Sequence, residues 1–420
     1  MTENAKPILV VGGGIAGMTA AIELAEAGCR VILIERLPYL GGRVARLYQY
    51  FPKLCPPACG LEINFRRIKN NPRITVLTQA ELESLSGSPG EYRATVRIAP
   101  RYVTAACTLC GACAEVCPAE RADEFNYGLA KTKAAYLPHA MAFPALYVIE
   151  RSACPSGCRA CAEACKYGAI ELDQQGERRE LEVAAVIAAT GWAPYEAARL
   201  ETLGFERAAN VVTNVVMERL AAPNGPTGGK ILRPSDGQPP ASVAFIQCAG
   251  SRDENHLPYC SAVCCAASLK QARYLRSLYP DIPIMIFYID LRTPGRLEEF
   301  LTQMQQETGV ELIKGKVGKL IEDKATGDLL ITAEDIASGS KFERRAAMVV
   351  LATGMVPQSD GLPADFTRDE FGFLTVPDGR KGIYAAGCVR RPAEVAGVVQ
   401  EAVAAALGAL QCAARSVRHG

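Results

Sequence analysis

Near its start the chain carries an unbroken apolar run, Ile8-Leu9-Val10-Val11, followed directly by Gly12-Gly13-Gly14-Ile15-Ala16-Gly17. Continuous apolarity, without alternation, predicts a strand buried on both faces. Helical spacing continues over residues 18–27 and stops at Gly28, where a C-terminal cap is expected. A second apolar strand, Val31-Ile32-Leu33-Ile34, ends in Glu35. The same strand-into-turn pattern returns at Val186-Ile187-Ala188-Ala189-Thr190-Gly191, at Ser242-Val243-Ala244-Phe245-Ile246-Gln247 and at Val349-Val350-Leu351-Ala352-Thr353-Gly354. Strands alternating with helical stretches predict an α/β fold built on parallel sheets.

The first turn matches G-x-G-x-x-G, and each glycine has a physical task. Gly12 permits the tight turn, Gly14 lets backbone approach a pyrophosphate, and Gly17 lets helix and strand pack closely. Free N–H groups at the helix start then face negative charge, and Glu35 is placed to accept hydrogen bonds from a ribose. Alone the motif would be an ordinary glycine-rich turn; the flanking strand, helix and acid predict a dinucleotide site. Glu35-Arg36 followed by Gly41-Gly42-Arg43 resembles FAD-binding, disulfide-reductase-type flavoproteins. Both Ala-Thr-Gly segments look like strand-to-turn segments of that superfamily, and Gly382-Ile383-Tyr384-Ala385-Ala386-Gly387 resembles its flavin loop. An Asp usually follows that last glycine, whereas Cys388 follows here. The resemblance implies a two-dinucleotide-binding-domain flavoprotein. FAD would be held through Gly12, Gly14, Ala16, Gly17, Glu35, Arg36, Gly42, Arg43, Thr190, Gly191, Thr353, Gly354, Gly387 and Cys388.

Composition changes the picture through its 17 Cys against 3 His. A disulfide scaffold would be short and loop-rich, whereas this chain has 420 residues and is 49% hydrophobic. Clustered Cys in such a chain point to metal or redox chemistry, and few His argue against haem or a His-rich zinc enzyme. Cys107-x2-Cys110-x2-Cys113-x3-Cys117-Pro118 is the bacterial ferredoxin run, whose fourth thiolate serves the neighbouring cluster. Cys154-x3-Cys158-x2-Cys161-x3-Cys165 carries one extra residue in its first gap. Ferredoxin pairing groups Cys107, Cys110, Cys113 and Cys165 around one [4Fe-4S] cluster, and Cys117, Cys154, Cys158 and Cys161 around another. A single cluster, zinc and free thiols are the alternatives. The predicted division is 1–97, 173–241 and 340–420 for the FAD-binding domain, 98–172 for an inserted α+β ferredoxin-like module, and 242–339 for a second dinucleotide-type module.

That second module lacks its expected glycine triplet. Its strand leads into Cys248-Ala249-Gly250-Ser251-Arg252-Asp253-Glu254, then Cys260-x3-Cys264-Cys265 and a helical run over 266–278. Adjacent Cys264 and Cys265 argue against simple packing, since neighbouring side chains do not share one apolar pocket. Together with Ile286-Phe287-Tyr288-Ile289-Asp290-Leu291-Arg292, these stretches resemble the A subunit of heterodisulfide reductase, and the resemblance runs along essentially the whole chain. It implies a third [4Fe-4S] cluster on Cys248, Cys260, Cys264 and Cys265, and it accounts for Cys388 after Gly387. Phe51-Pro52-Lys53-Leu54-Cys55-Pro56-Pro57-Ala58-Cys59 is similar to the A subunit of the quinone-interacting membrane-bound oxidoreductase of sulfate reducers. Cys55 and Cys59 read either as a redox dithiol or as structural or interface thiols, and Cys29 and Cys412 as packing residues.

The resemblance further implies an electron-transfer subunit linking menaquinone to adenylylsulfate reductase. Its partners would be a second flavo-iron–sulfur subunit of the same family and a haem-bearing membrane subunit, at the cytoplasmic face. A net charge of +1 gives no footprint for nucleic acid. Three clusters at about −2 each would carry it to about −5, with Arg252, Arg292, Arg390 and Arg391 as candidate counter-charges. The start, Met1-Thr2-Glu3-Asn4, lacks a leader pattern, and residues 402–414 are the longest apolar candidate, too short for a span. His139, His256 and His419 stand apart, so no nucleophile–His–acid set is expected. Other readings are the same type of chain in a bifurcating or confurcating assembly, a stand-alone NAD(P)H-dependent flavin disulfide reductase, and a non-enzymatic cluster carrier.

Overall fold

The computed structural model describes residues 5–375 and 382–419, with side chains to residue 415; Met1–Asn4 and the His419 side chain lie outside them. Two compact units emerge. The first comprises Met1–Ala45, Ala58–Trp192 and Pro357–Gly420; the second comprises Arg46–Pro57 and Ala193–Val356.

In the first unit, five parallel strands run in the order Ile383–Ala385, Ala185–Ala188, Ile8–Val11, Val31–Glu35 and Ile74–Thr78. Ile8–Val11 lies in the middle and is fully buried, as its unbroken apolarity predicts. Three antiparallel strands, Ala80–Ser88, Glu91–Ile98 and Glu177–Val183, pair beside this sheet. Tyr92, Ala94 and Val96 turn one face of Glu91–Ile98 inward, while Glu91, Arg93, Thr95 and Arg97 alternate with them. Between Ile98 and Glu177 the chain makes an α+β insertion of two-stranded ribbons and short helices, Ala112–Glu115 and Ala160–Ala164. Its core contains Val103, Cys113, Cys117, Ala134, Ile149, Cys161 and Leu172.

The C-terminal helix Val395–His419 corrects one expectation. Its stretch Val395–Arg415 is long and apolar enough to cross a membrane by length and composition, where residues 402–414 were expected to be the limit. The stretch includes Glu401, whose carboxylate accepts from Arg391 Nε at 2.6 Å and from the Gly387 N–H at 3.1 Å. Val398, Ala402, Ala405, Ala406, Ala409 and Ala413 form the buried stripe of this helix, while Val403 and Leu407 are exposed.

The second unit holds a seven-stranded sheet, ordered Val211–Thr213, Met348–Thr353, Val243–Ala249, Ile284–Tyr288, Val310–Glu322, Leu329–Asp335 and Lys341–Ala346. The first five strands are parallel and the last two add antiparallel hairpins. The unit is wider than residues 242–339, because strands before and after that span complete its sheet.

Residues 46–57 are clasped into this unit by buried charge. Lys270 Nζ lies 2.9 Å from Glu218 Oε1 and donates to the Gln49 carbonyl at 2.7 Å. Glu218 also accepts from the Tyr48 N–H at 3.0 Å and Gln271 Nε2 at 2.7 Å, while Arg219 donates to the Arg46 carbonyl at 3.2 Å. Lys270 is 2% exposed and Glu218 3%, so neither charge has water as an alternative partner. Removing one partner of such a pair typically costs about 3–5 kcal/mol. Lys270→Met is therefore expected to lower the unfolding free energy by about that amount in urea titrations; an unchanged midpoint would show that the clasp is not structural.

Candidate functional site

The first turn has the geometry its glycines predict. Gly12 adopts φ +108°, and a Cβ there would lie 2.4 Å from the Ala189 carbonyl oxygen. At Gly17 a Cβ would lie 1.8 Å from the Gly12 oxygen, so helix Ile15–Glu26 can approach its strand only without a side chain. Gly14, at the helix start, has only the Gly42 Cα within 4.0 Å of a built Cβ, which leaves its outer side open. No side chain caps that helix, and its first N–H groups face that opening. Glu35 sits behind the turn and accepts from the Gly13 N–H at 2.6 Å and the Leu37 N–H at 2.7 Å. Burial pushes its carboxyl above the usual range.

The other expected flavin residues divide. Ala16 is buried and Arg36 exposed. Arg43 stacks on the Trp192 ring, donates to the Trp192 carbonyl and lies 3.2 Å from the Tyr127 hydroxyl. The Thr190 hydroxyl is buried and has no hydrogen-bond partner among the described residues, and Gly191 follows at φ +74°. Gly387 turns at φ +78°, and the Cys388 thiol lies 3.4 Å from the Ala393 carbonyl, its pKa pushed by burial to about 11. An open helix start, a buried acid behind it and an orphaned hydroxyl fit a dinucleotide. Thr353 and Gly354 instead lie in the second unit. Thr353 donates to Asn214 Oδ1 at 3.0 Å, and Gly354 packs so tightly that a Cβ would lie 2.2 Å from Ser251 Oγ.

Four cysteines lie within electrostatic range of one another at the carboxyl end of strand Val243–Ala249. Cys248, Cys260 and Cys265 all act electrostatically on Cys264, and burial together with these neighbours drives its thiol far above the usual range. Burial, then Cys265, pushes Cys248 to about 11, and Cys265 is raised as well. Cys264 and Cys265 open helix Cys264–Leu278, while Cys248, Arg252 and Ala262 all adopt left-handed backbone, with φ of 57°, 57° and 61°. Non-glycine residues rarely hold that conformation, and its clustering here marks a site whose shape is fixed by its surroundings. Ser251 and Ser261 hydroxyls lie 3.0 Å apart, and Ser261 Oγ accepts the Met355 N–H at 2.9 Å. The Arg292 N–H donates to Cys265 Sγ at 3.4 Å, while Arg252 and Arg292 both pair with Asp290. Of the expected counter-charges, Arg252 and Arg292 thus stand at this site, Arg391 is taken by Glu401, and Arg390 is exposed.

The insertion brings seven of its eight sulfurs into two groups, and no contact joins Cys165 to either among the described residues. Cys117, Cys154, Cys158 and Cys161 line one small cleft with Pro118, Ala135 and Ile149. Cys107, Cys110 and Cys113 share the environment of Tyr147, whose hydroxyl is raised by burial and by these thiols. Cys165 caps helix Ala160–Ala164 and accepts the Ala169 N–H at 3.4 Å. Among the described residues no site suits a single metal ion, whereas a cubane needs its four sulfurs spread around a larger core.

A cavity of about 390 Å³ remains beside Cys248, lined also by Gln247, Arg252, His256, Phe287 and Lys316. It lies in the crevice outside the strand ends, where α/β sheets bind ligands. His256 Nδ1 there lies 2.8 Å from the Tyr195 hydroxyl, and His139 stacks on Phe125 in the first unit. Cys55 lies near the end of the clasped segment and Cys59 in the first turn of helix Ala58–Asn70; both are exposed. Cys29 is buried, and Cys412 Sγ lies 3.7 Å from the Ala184 carbonyl, as packing residues would. Sequence reasoning missed Tyr147, Asn214, Glu218 and Lys270, which no motif signals.

Fold and first turn together define a flavin-binding oxidoreductase architecture. Residues 7–54 match the family model described as FAD dependent oxidoreductase. Thioredoxin reductase of Lactococcus lactis superposes with a TM-score of 0.55 at 14% identity, over 98% of this chain and 99% of its own. That of T. acidophilum gives 0.54 at 14% identity over 98% of each chain; both likenesses concern the fold alone. The chain is homologous over nearly all its length to the A subunits of heterodisulfide reductases. A CoB–CoM heterodisulfide reductase iron-sulfur A subunit of Methanopyrus kandleri is 39% identical over 97% of this chain and 65% of its own. The corresponding iron-sulfur A subunit of Methanocaldococcus jannaschii is 39% identical over 86% of this chain and 55% of its own. In Methanothermobacter marburgensis the A subunit of the H(2):CoB-CoM heterodisulfide,ferredoxin reductase is 36% identical over 95% and 62%. The chain thus spans less than two-thirds of the length of these relatives.

Gly17→Val is expected to reduce bound flavin at least about tenfold, since the turn cannot close around a side chain. Flavin absorbance per chain checks this, and full flavin content in that variant would remove the turn from the site.

Proposed function

We propose that the chain is an FAD- and iron–sulfur-carrying electron-transfer subunit of heterodisulfide-reductase type, dependent on partner subunits for turnover. The observation that carries this reading is the convergence of Cys248, Cys260, Cys264 and Cys265 at a strand end where a nucleotide-binding turn would otherwise stand. Bound FAD would supply two-electron chemistry and [4Fe-4S] clusters one-electron transfer. Gly12, Gly14 and Gly17 shape the flavin turn, Glu35 closes it from behind, and Thr190 offers its unpartnered hydroxyl. Cys107, Cys110, Cys113 and Cys165 are assigned to one cluster, Cys117, Cys154, Cys158 and Cys161 to the second. The third takes the four converging thiols, with the Arg292 N–H donating to one of them.

A finer reading places the protein between menaquinone and adenylylsulfate reductase, beside a second flavo-iron–sulfur subunit, with a haem-bearing subunit in the membrane. The Phe51–Cys59 resemblance supports it. A second class, the NAD(P)H-dependent flavin reductase, is favoured by the cavity beside Cys248. Against it stands the turn chemistry, which presents sulfur where pyrophosphate needs glycine backbone.

Anaerobically purified protein is expected to carry about 12 Fe with matching sulfide and one FAD, and Cys264→Ala about 8 Fe. About 8 Fe in the unaltered chain would remove the third cluster, and zinc without sulfide would overturn the assignment. NADH alone is expected to leave the flavin oxidised; rapid bleaching without partners would favour the reductase.

A further inference from the structure

Arg101 is a buried cation without a carboxylate. It is 9% exposed, and its side chain lies where the inserted module meets the first unit's main sheet. Its fork donates to three carbonyls, Tyr147 at 3.0 Å, Pro38 at 2.8 Å and Leu146 at 2.9 Å, and to the Thr78 hydroxyl at 3.2 Å. Among the described residues no Asp or Glu forms an ion pair with it. All five donors of a guanidinium demand partners, and carbonyls meet that demand without neutralising the charge. A buried charge left unneutralised is costly, so such a residue signals an anion nearby.

The structure indicates where that anion belongs. The ionisable groups acting on Arg101 are Tyr136 and Cys107, and desolvation is the larger influence, pulling the guanidinium down to about 10. Tyr147 links the two regions. Its carbonyl accepts from Arg101 Nε, while its hydroxyl would lie 3.5 Å from a Cβ at Gly111, inside the Cys110–Cys113 loop. Cys107, Cys110 and Cys113 are the sulfurs that act on the same Tyr147 ring. As thiols these groups are neutral and give Arg101 no counter-ion. As four thiolates around a [4Fe-4S]2+ core they carry about −2.

We propose that Arg101 is the built-in counter-charge of the cluster assigned to Cys107, Cys110, Cys113 and Cys165, and that it raises that cluster's reduction potential above what the thiolates alone would set. This rests on the cluster assignment made above. The physical basis is the sign of the charge: adding an electron makes the centre more negative, and a fixed cation in low dielectric favours that state. Arg101 is thus a positioning residue acting on electron affinity, distinct from the arginines at the third sulfur group.

The test is an EPR-monitored redox titration of the full chain, purified anaerobically, beside its iron content. Arg101→Gln removes the charge and keeps an amide donor. Thr78→Asp keeps the guanidinium but places a carboxylate on it. Arg101→Lys keeps the charge and loses the fork. In both neutralising variants one cluster signal is expected to move to lower potential while the others hold, and in Arg101→Lys all should stay near their original values. Loss of one cluster's iron in Arg101→Gln, with retention in Arg101→Lys, would assign the same charge to cluster assembly and support the proposal. Full iron with unmoved potentials in both neutralising variants would overturn it, as would loss of the cluster in all three. An unaltered chain without cluster iron would instead refute the underlying assignment, an outcome that iron analysis separates from the others.

Discussion

A thiol buried among other thiols has no stable charged form of its own. Each thiolate would lose hydration and face its neighbours' charge, and both effects drive the proton back on. For Cys248, Cys264 and Cys265, at the end of Val243–Ala249, this conflict is built into the structure. Four cysteines come close, two from consecutive residues at a helix start, Cys248 from the strand end and Cys260 from the following loop, with Cys248, Arg252 and Ala262 in left-handed conformation. A cationic iron–sulfide core would resolve it, since metal binding would remove the protons and add its energy to the stability of the turn. Ser251, Ser261, Thr353 and Gly354 then form a rigid backing, with Gly354 fitting only because it lacks a side chain.

The two sheets show one architectural device put to two chemistries. In the first unit a strand, turn and helix present open glycine backbone, suited to a pyrophosphate. In the second the same succession presents sulfur, and Asp290 at the end of the neighbouring strand pairs with Arg252 and Arg292. An acid at that place in a nucleotide-binding module would serve a ribose. Here two guanidinium groups occupy it, so the charge pattern of the crevice no longer favours a nucleotide's ribose. The cavity beside Cys248 lies in that crevice.

Much of this was legible in the sequence, for definite reasons. Ile8–Val11 and its flanking glycines state their structure through local sterics, because a close helix–strand contact and a positive φ each demand glycine. Cysteine spacing likewise points to a chemistry, and Cys117 lines one cleft with Cys154, Cys158 and Cys161. What was not legible depends on long-range packing. Lys270 and Glu218 lie more than fifty residues apart on amphipathic helices and carry no motif, so their burial emerges only from the tertiary structure. Arg101 reads as an ordinary charged residue beside a strand until the insertion folds over it. Thr353 and Gly354 resembled a flavin segment by local pattern, yet their contacts place them behind the cysteine turn. The C-terminal helix was underestimated because the apolar run reads as starting beside Glu401, whereas the helix runs apolar on both sides of that single acid.

The central claim is that sulfur-bridged iron occupies the strand end where a dinucleotide would otherwise dock. Anomalous diffraction at the iron edge, from crystals grown anaerobically, tests it most directly. The account predicts three compact iron peaks, one of them enclosed by Cys248, Cys260, Cys264 and Cys265. Iron confined to the insertion, with those four sulfurs bare and NADH ordered in the adjoining cavity after soaking, would contradict it.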